Sequence, residues 1–120
     1  MSYERIHILV VDDEALVAMT VAETLREEGF RVTVAHDGHE ALAVEKRDPS
    51  DLLVTDLRMP RLDGNQLIAL VRAERPDMPI LDMSGYSYVY PTEAPDRLVL
   101  LRKPFNANHL VRIVHDLLKL

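Results

Sequence analysis

Short apolar runs recur along the chain, and four of them stop at a chemically active side chain. Residues 6–11 form a β-branched and leucine run broken only by His7, as expected of a strand covered on both faces. Residues 14–28 follow with Leu16, Val17, Val21, Ala22 and Leu25 at helical spacing. Asp12 or Asp13 is placed to cap this helix and Gly29 to stop it. Residues 31–35 read as a second short strand. Asp37-Gly38 reads as a turn, and residues 39–46 have helical composition until Pro49. Residues 52–56 make a third strand. Residues 65–74 make a helix with Leu67, Leu70 and Val71 inward, closed off by Pro76 and Pro79. Residues 80–84 and 98–102 are the fourth and fifth strands. Residues 107–120 form a last amphipathic helix, with Leu110, Val111, Val114, Leu117 and Leu118 on its apolar side.

Strands alternating with helices predict a parallel α/β sheet, whose strands end at a common edge where ligands bind. At those ends stand Asp12-Asp13, Asp56, Ser84 and Lys103-Pro104. Three carboxylates, a hydroxyl and an ammonium converging on one crevice suit a hard divalent cation and a phosphoryl group better than a core. The alternation falters once. Between Ser84 and Leu98, Gly85, Pro91 and Pro95 leave room for a helical turn or two at most, so a fourth helix is expected to be shortened or absent. Tyr86, Tyr88 and Tyr90 mark this stretch either as the mobile, partner-facing part of the molecule or as aromatics packed back on the fifth strand in place of the missing helix.

Composition narrows the field further. A chain of 120 residues, 48% hydrophobic and 28% charged, fits one soluble domain over residues 1–120 with a core of its own. The absence of cysteine excludes disulfides and thiolate metal sites. Twenty acids against 14 Lys and Arg, a net charge of -6, argue against a nucleic-acid surface. No apolar stretch approaches a membrane span and no signal peptide is evident, so a cytoplasmic location is expected. The histidines show no metal-site pairing and read as structural or solvated. Glu45-Lys46-Arg47-Asp48 reads as a solvated helix end, and Asp63-Gly64 as a turn.

Four motifs then carry a family resemblance: Val10-Val11-Asp12-Asp13-Glu14; Asp56-Leu57-Arg58-Met59-Pro60 with Asp63-Gly64; Met83-Ser84-Gly85-Tyr86; and Arg102-Lys103-Pro104-Phe105. Taken singly, each has a simpler explanation: the acids as a helix cap, Asp56 as a turn residue, Lys103 as a surface charge. Their coincidence at four successive strand ends disfavours those explanations. From about Ile6 to its C-terminus, the chain resembles the receiver domain of two-component response regulators. The resemblance implies a flavodoxin-like fold, with a five-stranded parallel sheet in order 2-1-3-4-5 and helices on both faces.

A carboxylate becomes an effective nucleophile when a phosphoryl group is held in line and its charge is neutralised. Mg²⁺ usually takes one or two protein carboxylates and keeps several waters; Asp13 and Asp56 supply them. By resemblance the backbone carbonyl of Arg58 is a further ligand and Asp12 acts through a water. Lys103 would pair with one phosphoryl oxygen as a point charge and the Ser84 hydroxyl, the family's switch position, with another. The resemblance also implies the donor, a phosphohistidine on a histidine kinase or phosphotransfer protein, and Asp56 as acceptor. Arg58 and Tyr86 then flank the approach of water to the acyl phosphate.

Departures from the family pattern are equally specific. The position three before the lysine, often aromatic, is Leu100, and Gly85 replaces the usual alanine after the switch hydroxyl. Asp82 stands in a strand expected to be apolar, so it needs a partner or exposure. The expected function is a phosphorylation-dependent switch that promotes only its own phosphoryl transfer and dephosphorylation, is otherwise no enzyme, and acts on an output protein the sequence does not name. The domain is expected as a monomer or a phosphorylation-dependent dimer. The alternative is a receiver-like interaction module that is never phosphorylated.

Overall fold

The computed structural model describes residues 3–57, 59, 61–83, 98–101 and 105–120. Its elements run β1 (His7–Val11), α1 (Ala15–Glu27), β2 (Arg31–Ala35), α2 (Gly38–Arg47), β3 (Leu52–Thr55), α3 (Gly64–Glu74), β4 (Ile80–Asp82), β5 (Leu98–Leu100) and α4 (Ala107–Leu118). All strand pairs are parallel and the order is β2-β1-β3-β4-β5, as the resemblance implied. The expectation of a shortened or absent helix between the fourth and fifth strands falls on residues 84–97, outside the described residues.

Because successive strand residues face opposite ways, each apolar run feeds two cores. Ile8, Val10, Leu52, Val54 and Leu81 pack with Ala18, Val21, Ala22 and Leu25 of α1 and with Leu110, Val114 and Leu117 of α4. Leu9, Val11, Leu53 and Ile80 pack on the other face with Ala41 and Val44 of α2 and Leu67 and Val71 of α3. The uninterrupted runs of β1 and β3 therefore mark strands buried on both sides.

His7, the one polar residue in the β1 run, is fully housed. Its Nδ1–H donates to the Pro49 carbonyl (3.2 Å), which leaves Nε2 to accept from the Thr33 hydroxyl (2.7 Å). Its backbone N–H donates to the Asp51 carboxylate (2.8 Å). This is the structural role expected of it.

Two helical faces differ from the expected ones. In α1, Leu16 is 77% exposed and Ala18 is buried in its place. In α3, Leu70 is 47% exposed while Leu67 and Val71 are inward. Leu16 lies two helical steps from Ala18 and Leu70 one step from Val71, and at 100° per step each leucine is carried off the buried side toward solvent. The end of α2 is also less solvated than expected. Glu45 pairs with Arg75 at the end of α3 (3.0 Å) and accepts from the Ser50 hydroxyl, tying the two helices together. Arg31 and Asp48 form an exposed pair that holds the Asp48 carboxyl below its usual range, chiefly through the hydrogen bond from Arg31.

Candidate phosphoryl-acceptor site

The site is assembled by the ladder running just past the strand ends. Asp12 donates its N–H to the Ala35 carbonyl (3.2 Å) at the end of β2, and Asp56 donates to the Val11 carbonyl (3.1 Å) at the end of β1. Each acid is therefore fixed through its backbone at the same edge of the sheet. One carboxylate oxygen from each of Asp12, Asp13 and Asp56 lies within 4.8 Å of the others. Asp12 is fully buried, Asp56 is 7% exposed, and Asp13 lies open at the rim.

The side chains have distinct local duties. Asp12 Oδ1 accepts from the Glu14 N–H (2.9 Å), just ahead of α1. Neither aspartate is the cap residue itself, however: Glu14 holds that position and makes no side-chain cap. The Thr55 hydroxyl donates to the carbonyl of Asp56 (3.0 Å), steadying the acid from the neighbouring residue. Asp82, in register with Thr55 on β4, is only 1% exposed and has a partner, which resolves its placement in an otherwise apolar strand.

Asp63-Gly64, read from the sequence as a turn, begins α3. Asp63 accepts from the Gln66 N–H (2.9 Å) and Gln66 returns a side-chain bond to the Asp63 N–H (2.9 Å), a complete capping box. The Asp-x-x-Gln spacing ahead of Leu67 was the available signal. Gly64, the first helical residue, donates to the Leu57 carbonyl (3.0 Å) and packs against the Asp56 backbone. Sequence reasoning missed that contact. Ser84, Lys103 and Arg58 lie outside the described residues, so the structure brings together three of the six expected site residues.

Hard oxygen donors from three acids, two of them buried, fit Mg²⁺, which favours carboxylate and water ligands. Retained waters also allow one acid to act at second hand.

The sequence matches the family described as response regulator receiver domain over residues 8–115. The chain belongs to that family. This receiver domain is 31% identical to the transcriptional regulatory protein GlrR of Escherichia coli K12, over 99% of the chain and 28% of the relative. It spans between about a quarter and a half of the length of the curated relatives it matches. Among solved structures it resembles a response regulator receiver protein from Sinorhizobium medicae, with a TM-score of 0.87, 32% identity and coverage of 95% and 94% of the two chains. It also resembles the Vibrio cholerae chemotaxis protein CheY4, with a TM-score of 0.83, 28% identity and coverage of 93% and 98%. Receiver domains serve two-component systems, in which a histidine kinase is the partner, and they bind Mg²⁺ at an acidic pocket. In this receiver the acidic cluster that could hold such an ion is Asp12, Asp13 and Asp56. No helix among the described residues is long and apolar enough to cross a membrane.

Proposed function

We propose that this receiver domain is a switch whose phosphoryl acceptor is Asp56. The observation that carries the reading is the position of Asp56: at the end of the central strand β3, nearly buried, with carboxylate oxygens of Asp12 and Asp13 within 4.8 Å. Asp12 is held by the Glu14 N–H and Asp13 stands at the rim, which leaves Asp56 as the acid at the centre of the edge.

A carboxylate oxygen of Asp56 attacks phosphorus of a phosphohistidine presented by a histidine kinase or phosphotransfer protein. The new O–P bond forms as the N–P bond breaks, and the imidazole nitrogen leaves with the bonding pair and takes up a proton. Asp13, Asp56 and the Arg58 carbonyl would hold Mg²⁺, with Asp12 acting through a water, and the bound ion would supply charge neutralisation for the transferring group. Lys103 and the Ser84 hydroxyl take the remaining phosphoryl oxygens. The backbone bond from Asp56 to Val11 and the Thr55 hydroxyl on the Asp56 carbonyl keep the nucleophile in line.

Phosphorylation adds about two negative charges where two acids already stand. Ser84 and Lys103 are drawn toward the new group, and the change passes to the face formed by β5 and α4. There Val99, Ile113 and Leu117 line an open groove rimmed by Asp116 and Lys119, suited to an output protein. With Leu100 in place of an aromatic residue on β5, this face responds without a ring changing rotamer.

The test is incubation with a small-molecule acyl phosphate and Mg²⁺, followed by intact-mass measurement. One Mg²⁺-dependent phosphoryl adduct is expected, abolished in Asp56→Asn. An unmodified protein under these conditions, with its partner binding intact, would instead make the domain a receiver-like interaction module.

A further inference from the structure

The loop that follows the acceptor is gripped between two glycines. At Gly64, a Cβ would stand 2.3 Å from the Asp56 carbonyl oxygen, 2.6 Å from Leu57 Cα and 3.0 Å from the Asp56 carbonyl carbon. Non-bonded heavy atoms settle at about 3.5 Å, so the approach is short by roughly 1 Å. Every one of those atoms is backbone, and none can swing aside. At Gly38, the first residue of α2, a Cβ would stand 2.6 Å from the Leu62 carbonyl oxygen and 2.8 Å from Leu62 Cβ and Cδ2. The β3–α3 loop is thus pressed by α3 on one side and by α2 on the other.

The loop held there is not a relaxed one. Arg61 has φ of 68°, in the left-handed region that costs a non-glycine residue about 1–3 kcal/mol. The surroundings sustain that conformation. The capping box closes the loop onto α3 at Asp63, and the Gly64 N–H bonds the Leu57 carbonyl. The same peptide that Gly64 touches carries Asp56 into the acid cluster.

The geometry points to Gly64 and Gly38 as positioning residues for the acceptor: their missing side chains let two helix N-termini close on the loop and fix where Asp56 presents its carboxylate. The inference rests on Asp56 as the acceptor and metal-bearing acid. It makes the first turn of α3 part of the site through the backbone contact at Gly64. Gly64 bears on Asp56 directly and Gly38 only through Leu62, so their effects should be graded.

The test is calorimetric titration with Mg²⁺ alone, paired with urea unfolding in chelator, on wild type, Gly64→Ala, Gly38→Ala and Val114→Ala. Val114 is buried on the inner side of α4, on the other face of the sheet, and serves as a destabilised control. Gly64→Ala should weaken Mg²⁺ binding about tenfold or more, as losing support behind a ligand does. Gly38→Ala should weaken it less, with Leu62→Ala restoring part of the loss. Val114→Ala should lower stability and leave Mg²⁺ affinity unchanged. If Gly64→Ala does not fold, Gly38→Ala and its Leu62→Ala partner decide the matter. Unchanged Mg²⁺ affinity in the folded glycine variants, or an equal loss in Val114→Ala, would overturn the clamp. A phosphoryl adduct persisting in Asp56→Asn would instead overturn the acceptor assignment, so the two failures can be told apart.

Discussion

Removing the charge of Asp13 should make the metal-free protein more stable and the Mg²⁺-loaded protein less so. In the absence of metal, Asp13 faces Asp12 and Asp56 with carboxylate oxygens no more than 4.8 Å apart. One like-charge pair at that distance costs about 0.9 kcal/mol in water-like surroundings, and about 3.5 kcal/mol at an effective dielectric near 20. Asp13 is exposed, so the lower figure applies. The dipole of α1, which starts just beyond it, returns roughly 0.3–1 kcal/mol of that repulsion. Asp13 forms two such pairs, about 1.7 kcal/mol together, so after the dipole's return Asp13→Asn should raise stability in chelator by about 1 kcal/mol, and less at high salt. With metal the sign reverses. Free Mg²⁺ at 100 times the dissociation constant stabilises the wild type by about 2.7 kcal/mol, whereas a hundredfold loss of affinity leaves about 0.4 kcal/mol. Urea unfolding with chelator and with Mg²⁺ reads both effects. Asp63→Asn is the control: asparagine caps a helix as well as aspartate, and Asp63 serves α3. The reasoning fails if Asp13→Asn is destabilising in chelator, or if it keeps the full Mg²⁺ increment.

Three further outcomes follow from the same geometry. Leu16→Ala should change stability by no more than about 0.5 kcal/mol because Leu16 faces solvent. Leu25→Ala, fully buried on the same helix, should cost about 2–5 kcal/mol; equal losses by urea unfolding would contradict the assigned face of α1. The Asp48 carboxyl is held low by Arg31, so the pair favours the fold above the unfolded carboxylate pKa, and that contribution is lost as pH falls through the folded value. Asp48→Asn should flatten the acid limb of the stability profile, and an unaltered limb would show the pair to be idle. Finally, the bulk of Arg58 and Tyr86 is proposed to hinder water. The half-life of the phosphorylated form should shorten in the Arg58→Ala/Tyr86→Ala variant, and an unchanged half-life removes the shielding idea.

Most of this architecture is legible in the chain because the strands of a doubly covered parallel sheet are written as plain apolar runs. β1 and β3 announce themselves in this way, and the acids at their ends give the site its edge. What stayed hidden depends on three-dimensional direction. Leu16 and Leu70 are as apolar as their buried neighbours, and only the placement of each helix on the sheet decides that they face solvent while Ala18, like the expected Val71, turns inward. The two Asp-Gly pairs look like turns because aspartate and glycine favour turns. In the fold both aspartates cap helices, and both glycines leave room for atoms pressed against them: the Asp56–Leu57 backbone at Gly64 and Leu62 at Gly38. A close approach of this kind involves residues far apart in sequence, so no local pattern encodes it. Glu45 likewise reads as solvated in the sequence because its partner, Arg75, lies beyond both β3 and α3.

The central claim is that Asp56, and no other acid of the cluster, takes the phosphoryl group. Borohydride reduction of the freshly phosphorylated domain converts an acyl phosphate to the corresponding alcohol, which survives proteolysis and is located by peptide fragmentation. The account predicts a single reduced residue, at position 56, present only when Mg²⁺ accompanied the phosphodonor. Reduction at Asp12 or Asp13, or at position 56 equally without Mg²⁺, would contradict it.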